Sequence, residues 1–167
     1  MGRSKAWAPL EYRPLTAPWD PGLELFHFAG AWAPAPEQIE SGWGAWDGER
    51  LSGALLAERS GASAMVHGPV VVAPPDSPPE AALEAATELL TAALRDTVAR
   101  GIATVFTRPQ GLDRIWVRQG FIPLPEVELP ADLRGRPGVG LFGWRNGTAL
   151  WTGTGRGAPR RAGAPPR

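Results

Sequence analysis

Cysteine is absent from the chain, and lysine occurs once, at Lys5. The first absence excludes structural disulfides, thiolate chemistry and cysteine-based zinc sites, and no metal centre is expected. An excess of either charge sign is missing too. Lys and Arg total 17 against 17 Asp and Glu, so no global field draws the chain toward nucleic acid or a membrane. No apolar run reaches the roughly 20 residues that a bilayer-spanning helix needs. The start, Met1-Gly2-Arg3-Ser4-Lys5-Ala6, has no apolar segment of the secretory kind, and Ala6 stands where a myristoylation site wants Ser or Thr. These exclusions lead to the expectation of a cytoplasmic protein without membrane contact.

What is present suits one globular domain: 167 residues, 43% hydrophobic and 20% charged. The 21 glycines and 19 prolines gather at the ends and in turns, which implies loop-rich connections. The chain divides into an N-terminal extension (1–9), a folded domain (10–152) and a Gly/Pro/Arg-rich tail (153–167) expected to be disordered. Arg156, Arg160, Arg161 and Arg167 make that tail basic. A nucleic-acid accessory role through it is one reading, but zero net charge and the lack of a stacking motif count against it.

A first strand is expected at Leu10–Thr16, then short helices around Leu23–Ala29 and Glu37–Glu40. Gly42–Trp46, Leu51–Arg59 and Ala62–Val72 read as three antiparallel strands. They are joined by Asp47-Gly48 and Ser60-Gly61, where glycine supplies the positive φ of a hairpin turn. Gly68-Pro69 inside the third of these implies a bulge or a lost neighbour, because proline donates nothing to a ladder. A long helix follows from Pro78 to about Arg100. Ser77 is its expected N-cap, Pro78 its first residue and Glu80 the partner in a capping box. Leu83, Ala86, Leu90, Leu94 and Val98 form its apolar stripe, and Gly101 ends it. A strand at Ile102–Thr107, a short helix at Leu112–Gln119 and strands at Phe121–Leu129 and Val139–Arg145 complete the domain. Arg145-Asn146-Gly147 adds a turn leading into Thr148–Trp151.

Three motifs sit on this framework. Val72-Ala73-Pro74 ends the strand before the long helix, Ile115-Trp116-Val117-Arg118-Gln119-Gly120-Phe121 ends the short helix, and Asp47-Gly48 precedes Leu51–Leu56. Together with the element order over residues 10–145 they resemble the GNAT-type N-acetyltransferases. The resemblance implies an α/β (α+β) fold: a single domain with a mixed, mostly antiparallel sheet of six to seven strands flanked by helices. It also implies acetyl-CoA as cofactor and a small amine as acceptor. The cofactor's arm would pair with strand backbone at Val70, Val71 and Val72, and its pyrophosphate would meet the helix start at Ser77, Ala81 and Ala82.

The sequence departs from that pattern in two places. At the helix start Ser77 stands where the family has arginine or glutamine, and Glu80 stands where it has glycine, although Ala82 satisfies the last position. Pro78 and Pro79 carry no N–H, so two donors are lost. Trp116 occupies the position of a tyrosine that protonates the departing thiolate in many family members, and indole supplies no such proton.

For a general base, Glu58 and His67 are the titratable candidates in the central hairpins. The plainer alternatives are a solvated strand carboxylate and a structural histidine, and His27 is read as structural. The eight tryptophans, Trp19, Trp32, Trp43 and Trp46 among them, are read as packing and loop anchors, and the glycine runs at 138–140 and 153–157 as loop. Two further readings stand beside the acyltransferase: a catalytically inactive GNAT-like domain kept for binding or oligomerisation, with homodimerisation as one use, and the accessory role of the basic tail.

Overall fold

Turns set the first half of the fold. Gly48 and Gly61 adopt φ of +62° and +60°, closing two tight hairpins between β2 (Ser41–Asp47), β3 (Arg50–Ser60) and β4 (Ser63–Val71). The structure, a computed structural model, describes residues 9–111, 113–138 and 140–145. β1 (Glu11–Leu15) leads into α1 (Asp20–Phe28). After β4 come α2 (Pro79–Ala99), β5 (Thr104–Thr107), α3 (Asp113–Arg118), β6 (Ile122–Pro123) and β7 (Phe142–Arg145). The seven strands form one sheet in the order β1-β2-β3-β4-β5-β7-β6, antiparallel except where β4 meets β5.

The two faces of the sheet carry different layers. Leu55 and Ala57 of β3 and Ala64 and Val66 of β4 pack against Ala86, Leu90, Ala93 and Leu94 of α2. Trp116 and Phe121 close this core, ring edge to face at 4.9 Å. On the opposite face Ala54, Leu56 and Val70 receive Phe26 of α1. A third cluster joins Met65 and Phe106 to Leu129, Leu133 and Leu141 of the segment between β6 and β7. That alternation along β3 is the period-two pattern of a strand covered on both sides.

Three elements depart from expectation. The helix at Glu37–Glu40 is a single 3-10 turn, Pro36–Gln38. Phe121–Leu129 is not a long strand: β6 has two residues, and 3-10 turns at Glu126–Glu128 and Ala131–Leu133 follow. Pro123 and Pro125 lack the N–H groups a ladder would need. Ser77 is not the N-cap of α2, and no capping box forms. Pro78 is the cap, extended at φ −67° and ψ 150°, and Pro79 is the first helical residue. The cause is local, since a residue before proline is pushed out of the helical region. Thr148–Trp151 and the tail from 153 lie outside the described residues.

Candidate functional site

The bulge in β4 builds the site. His67 pairs with Leu56 and Val70 with Ala54, so three steps on β4 match two on β3. Gly68 takes up the extra residue at φ +95°, where a Cβ would meet the Phe26 ring at 3.0 Å and the Ala54 carbonyl at 3.1 Å. Because of the bulge, His67 and Val70 present the same face of the strand despite their odd spacing. Glu58 pairs with Met65, which makes it the diagonal neighbour of His67 on that face, a relation long side chains can span.

They do span it. His67 Nε2 lies 2.8 Å from Glu58 Oε2, with the residues 8% and 3% exposed. Glu58 is therefore no solvated strand carboxylate. Arg136 completes the group, donating from Nε to Oε2 at 3.0 Å and from Nη2 to Oε1. Arg136 is itself fixed by donating to the carbonyls of Arg134 and Asp132. Burial pushes the Glu58 carboxyl upward, but the hydrogen bonds from His67 and Arg136 and their charges outweigh it and hold its pKa at about 2. Glu58 is thus a fixed anion, whose hydrogen bond with Nε2 orients the imidazole and leaves Nδ1 outside the pair.

His67 borders a cavity of about 190 Å³ that Phe26, Trp32, Pro69, Arg108 and Gln110 also line. The Trp32 ring meets the imidazole edge-on, centroids 5.2 Å apart. Arg108 brings little free charge, because it grips Glu126 through two bonds of 2.8 and 2.6 Å. His27 is exposed on the last turn of α1.

The same strand opens a gap. β4 pairs with β5 over Ser63, Ala64 and Met65 only, followed by a bond from Thr107 Oγ1 to the Val66 carbonyl at 3.0 Å. From His67 to Val71 the β5 side of β4 has no strand partner among the described residues. The Val72 amide donates to Ser52 of β3 at 2.8 Å, so by strand alternation the N–H and carbonyl of Val71 face the gap. Val70 is buried on the α1 side.

At the start of α2, Ser77 N–H donates to Pro74 and Ala81 N–H to Pro78, both at 3.0 Å. Ser77 Oγ is enclosed with no hydrogen-bond partner among the described residues. Ala81 and Ala82 are half-buried, and Asp76 and Glu80 are exposed. Trp116 is 1% exposed and belongs to the core. Sequence reasoning missed Arg136. Its only signal was that a buried carboxylate needs a cation, which no periodicity could locate in a Gly/Pro loop.

No family model matches the sequence, and no curated protein matches it. Solved structures do match the fold. An acetyltransferase of the GNAT family from Staphylococcus aureus Mu50 superposes with a TM-score of 0.61 at 9% identity, covering 81% of this chain and 98% of its own. The ribosomal-protein-S18-alanine N-acetyltransferase from Escherichia coli gives 0.59 at 12%, covering 81% and 93%. N-acetylglutamate synthase from Neisseria gonorrhoeae, complexed with coenzyme A and N-acetyl-glutamate, gives 0.62 at 15%. It covers 83% of this chain, which spans about a third (35%) of that enzyme. The chain has the fold of the GNAT acetyltransferases.

Proposed function

We propose that the protein is a divergent member of the GNAT superfamily and an N-acyltransferase, moving an acyl group from a thioester of the acetyl-CoA type to a small amine. The observation that carries this reading is His67, paired to a buried carboxylate and bordering a cavity at the point where β4 parts from β5. The neighbour from N. gonorrhoeae, complexed with coenzyme A, supports the choice of donor.

The residues fit one half of such a donor. A pantetheine arm carries two amides, and the gap beside Val70, Val71 and Val72 offers strand backbone for them through Val71. The helix start fits the other half poorly, since Pro78 and Pro79 bring no N–H and Ala81 spends its own on Pro78. When bound, the thioester supplies an activated carbonyl. His67 accepts the proton of the attacking amine at Nδ1 as the C–N bond forms and the C–S bond breaks. Glu58 holds the imidazole in orientation and stabilises its cation, and Arg136 fixes Glu58. A thiol with a pKa of about 8.5 departs as thiolate without an acid, so a core tryptophan at position 116 is no obstacle.

The absence of cysteine makes the test clean, because a thiol-reactive chromogen reports released thiol alone. Acyl thioesters and a panel of primary amines should give amine-dependent thiol release, and His67→Ala should lower its rate by ~10²-fold or more. An unchanged rate in His67→Ala would remove the base from the reading. Thioester binding without turnover across the panel would favour a binding domain instead.

A further inference from the structure

Helix N-termini usually attract phosphates, because their first amides point outward unpaired and carry the positive end of the dipole. In α2 that device is dismantled. The cap and first residue are both proline, so neither contributes an N–H. The Ala81 amide is already bonded to Pro78, which leaves Glu80 as the nearest free donor, and its own side chain is an anion. Asp76 adds a second exposed carboxylate just before the helix. Ser77 offers a hydroxyl, but its oxygen is enclosed beneath the turn and out of reach of a group arriving from solvent. Each change alone would be a local accident; together they replace donors with acids at the spot where the resemblance would dock the pyrophosphate.

The gap between β4 and β5 has not been altered in the same way. The Gly68 bulge, the early end of β4–β5 pairing and the free edge at Val71 remain. One half of a nucleotide thioester's binding surface is kept while the other is reversed in sign.

We propose that Pro78, Pro79 and Glu80 are specificity residues that turn away the nucleotide end of the donor. The donor would be recognised through a pantetheine-type thioester arm, with the phosphates contributing nothing favourable. This rests on the thioester reading above, and it concerns which part of the donor is recognised rather than the reaction.

Titration calorimetry of the full chain with pantetheine and with coenzyme A tests it. The two dissociation constants are expected to agree within about threefold, with coenzyme A no tighter than pantetheine at low salt, where like-charge repulsion is least screened. Glu80→Gln combined with Pro79→Ala, which restores an amide and removes a charge, should tighten coenzyme A at least tenfold and leave pantetheine unchanged. Glu80→Gln alone, which leaves both prolines in place, should give part of that gain. Coenzyme A binding tenfold or more tighter than pantetheine in the unmodified protein would overturn the proposal, as would a double variant that tightens neither ligand. If neither ligand binds, the thioester reading itself fails, and that result is distinct from a strong preference for coenzyme A.

Discussion

Arg136 and Glu58 form the tightest polar contact of the site, with one partner on a central strand and the other in a loop 78 residues away. Removing one member of a buried ion pair leaves an uncompensated charge, which is strongly destabilising. Arg136→Ala should therefore cost about 3 kcal/mol in denaturant unfolding. Arg136→Lys should recover part of it, because a single ammonium cannot reproduce the two-pronged grip of a guanidinium. A loss below 0.5 kcal/mol would mean that the loop and strand hold each other by other means. Glu58 and His67 stand out in the sequence as titratable residues in apolar hairpins. Their union was not legible, because it depends on a register that a single extra residue in β4 decides.

That extra residue belongs to the scale of the element. Gly68-Pro69 announced a bulge or a lost neighbour, and β4 has both; the effect of the bulge, aligning His67 with Val70 on one face, is a matter of counting that needs the partner strand. Gly68→Ala should cost about 2 kcal/mol, combining a left-handed backbone with crowding against Phe26 and the Ala54 carbonyl. The same variant should lose thiol release out of proportion to its stability, since relaxing the bulge rotates His67 away from Glu58. Measuring both on one preparation separates the two effects, and full activity in a destabilised variant would show that the bulge does not position the base. α2 was legible over most of its length from its apolar stripe. Its first residue was misplaced by one, because the second proline of the pair, rather than the serine before them, dictates where helical geometry begins.

At the scale of the whole molecule, the Glu58 cluster ties the central hairpins to the segment between β6 and β7, with a bond from Ser60 Oγ to Asp132 at 2.7 Å beside it. The Glu58 carboxyl is lowered from 4.5 to about 2, so its contribution to stability is complete above pH 4.5. It is lost as pH falls from there toward 2, when protonation dissolves the pair. Unfolding midpoints followed by circular dichroism should drop through that window, and Arg136→Ala should flatten the drop. A wild-type profile level down to pH 2 would contradict the assignment. The hairpin succession of β2, β3 and β4 was legible from turn residues and spacing. The segment after Phe121 was not, because prolines, 3-10 turns and scattered apolar anchors such as Leu129, Leu133 and Leu141 carry no repeating signal.

Three rungs of strand pairing, with backbone bonds to the Ala62 carbonyl at one end and a threonine bond at the other, stitch the first four strands to the last three. A sheet so lightly sewn has a natural line along which to breathe. The Val71 amide should exchange with deuterium far faster than its neighbour Val72, whose proton is committed to Ser52. A molecule lying in that seam and offering its own amides would act as a borrowed strand, slowing exchange at Val71 and bracing both sides of the protein at once. Whatever the site accepts, its arrival should then be felt as stiffening across the entire sheet.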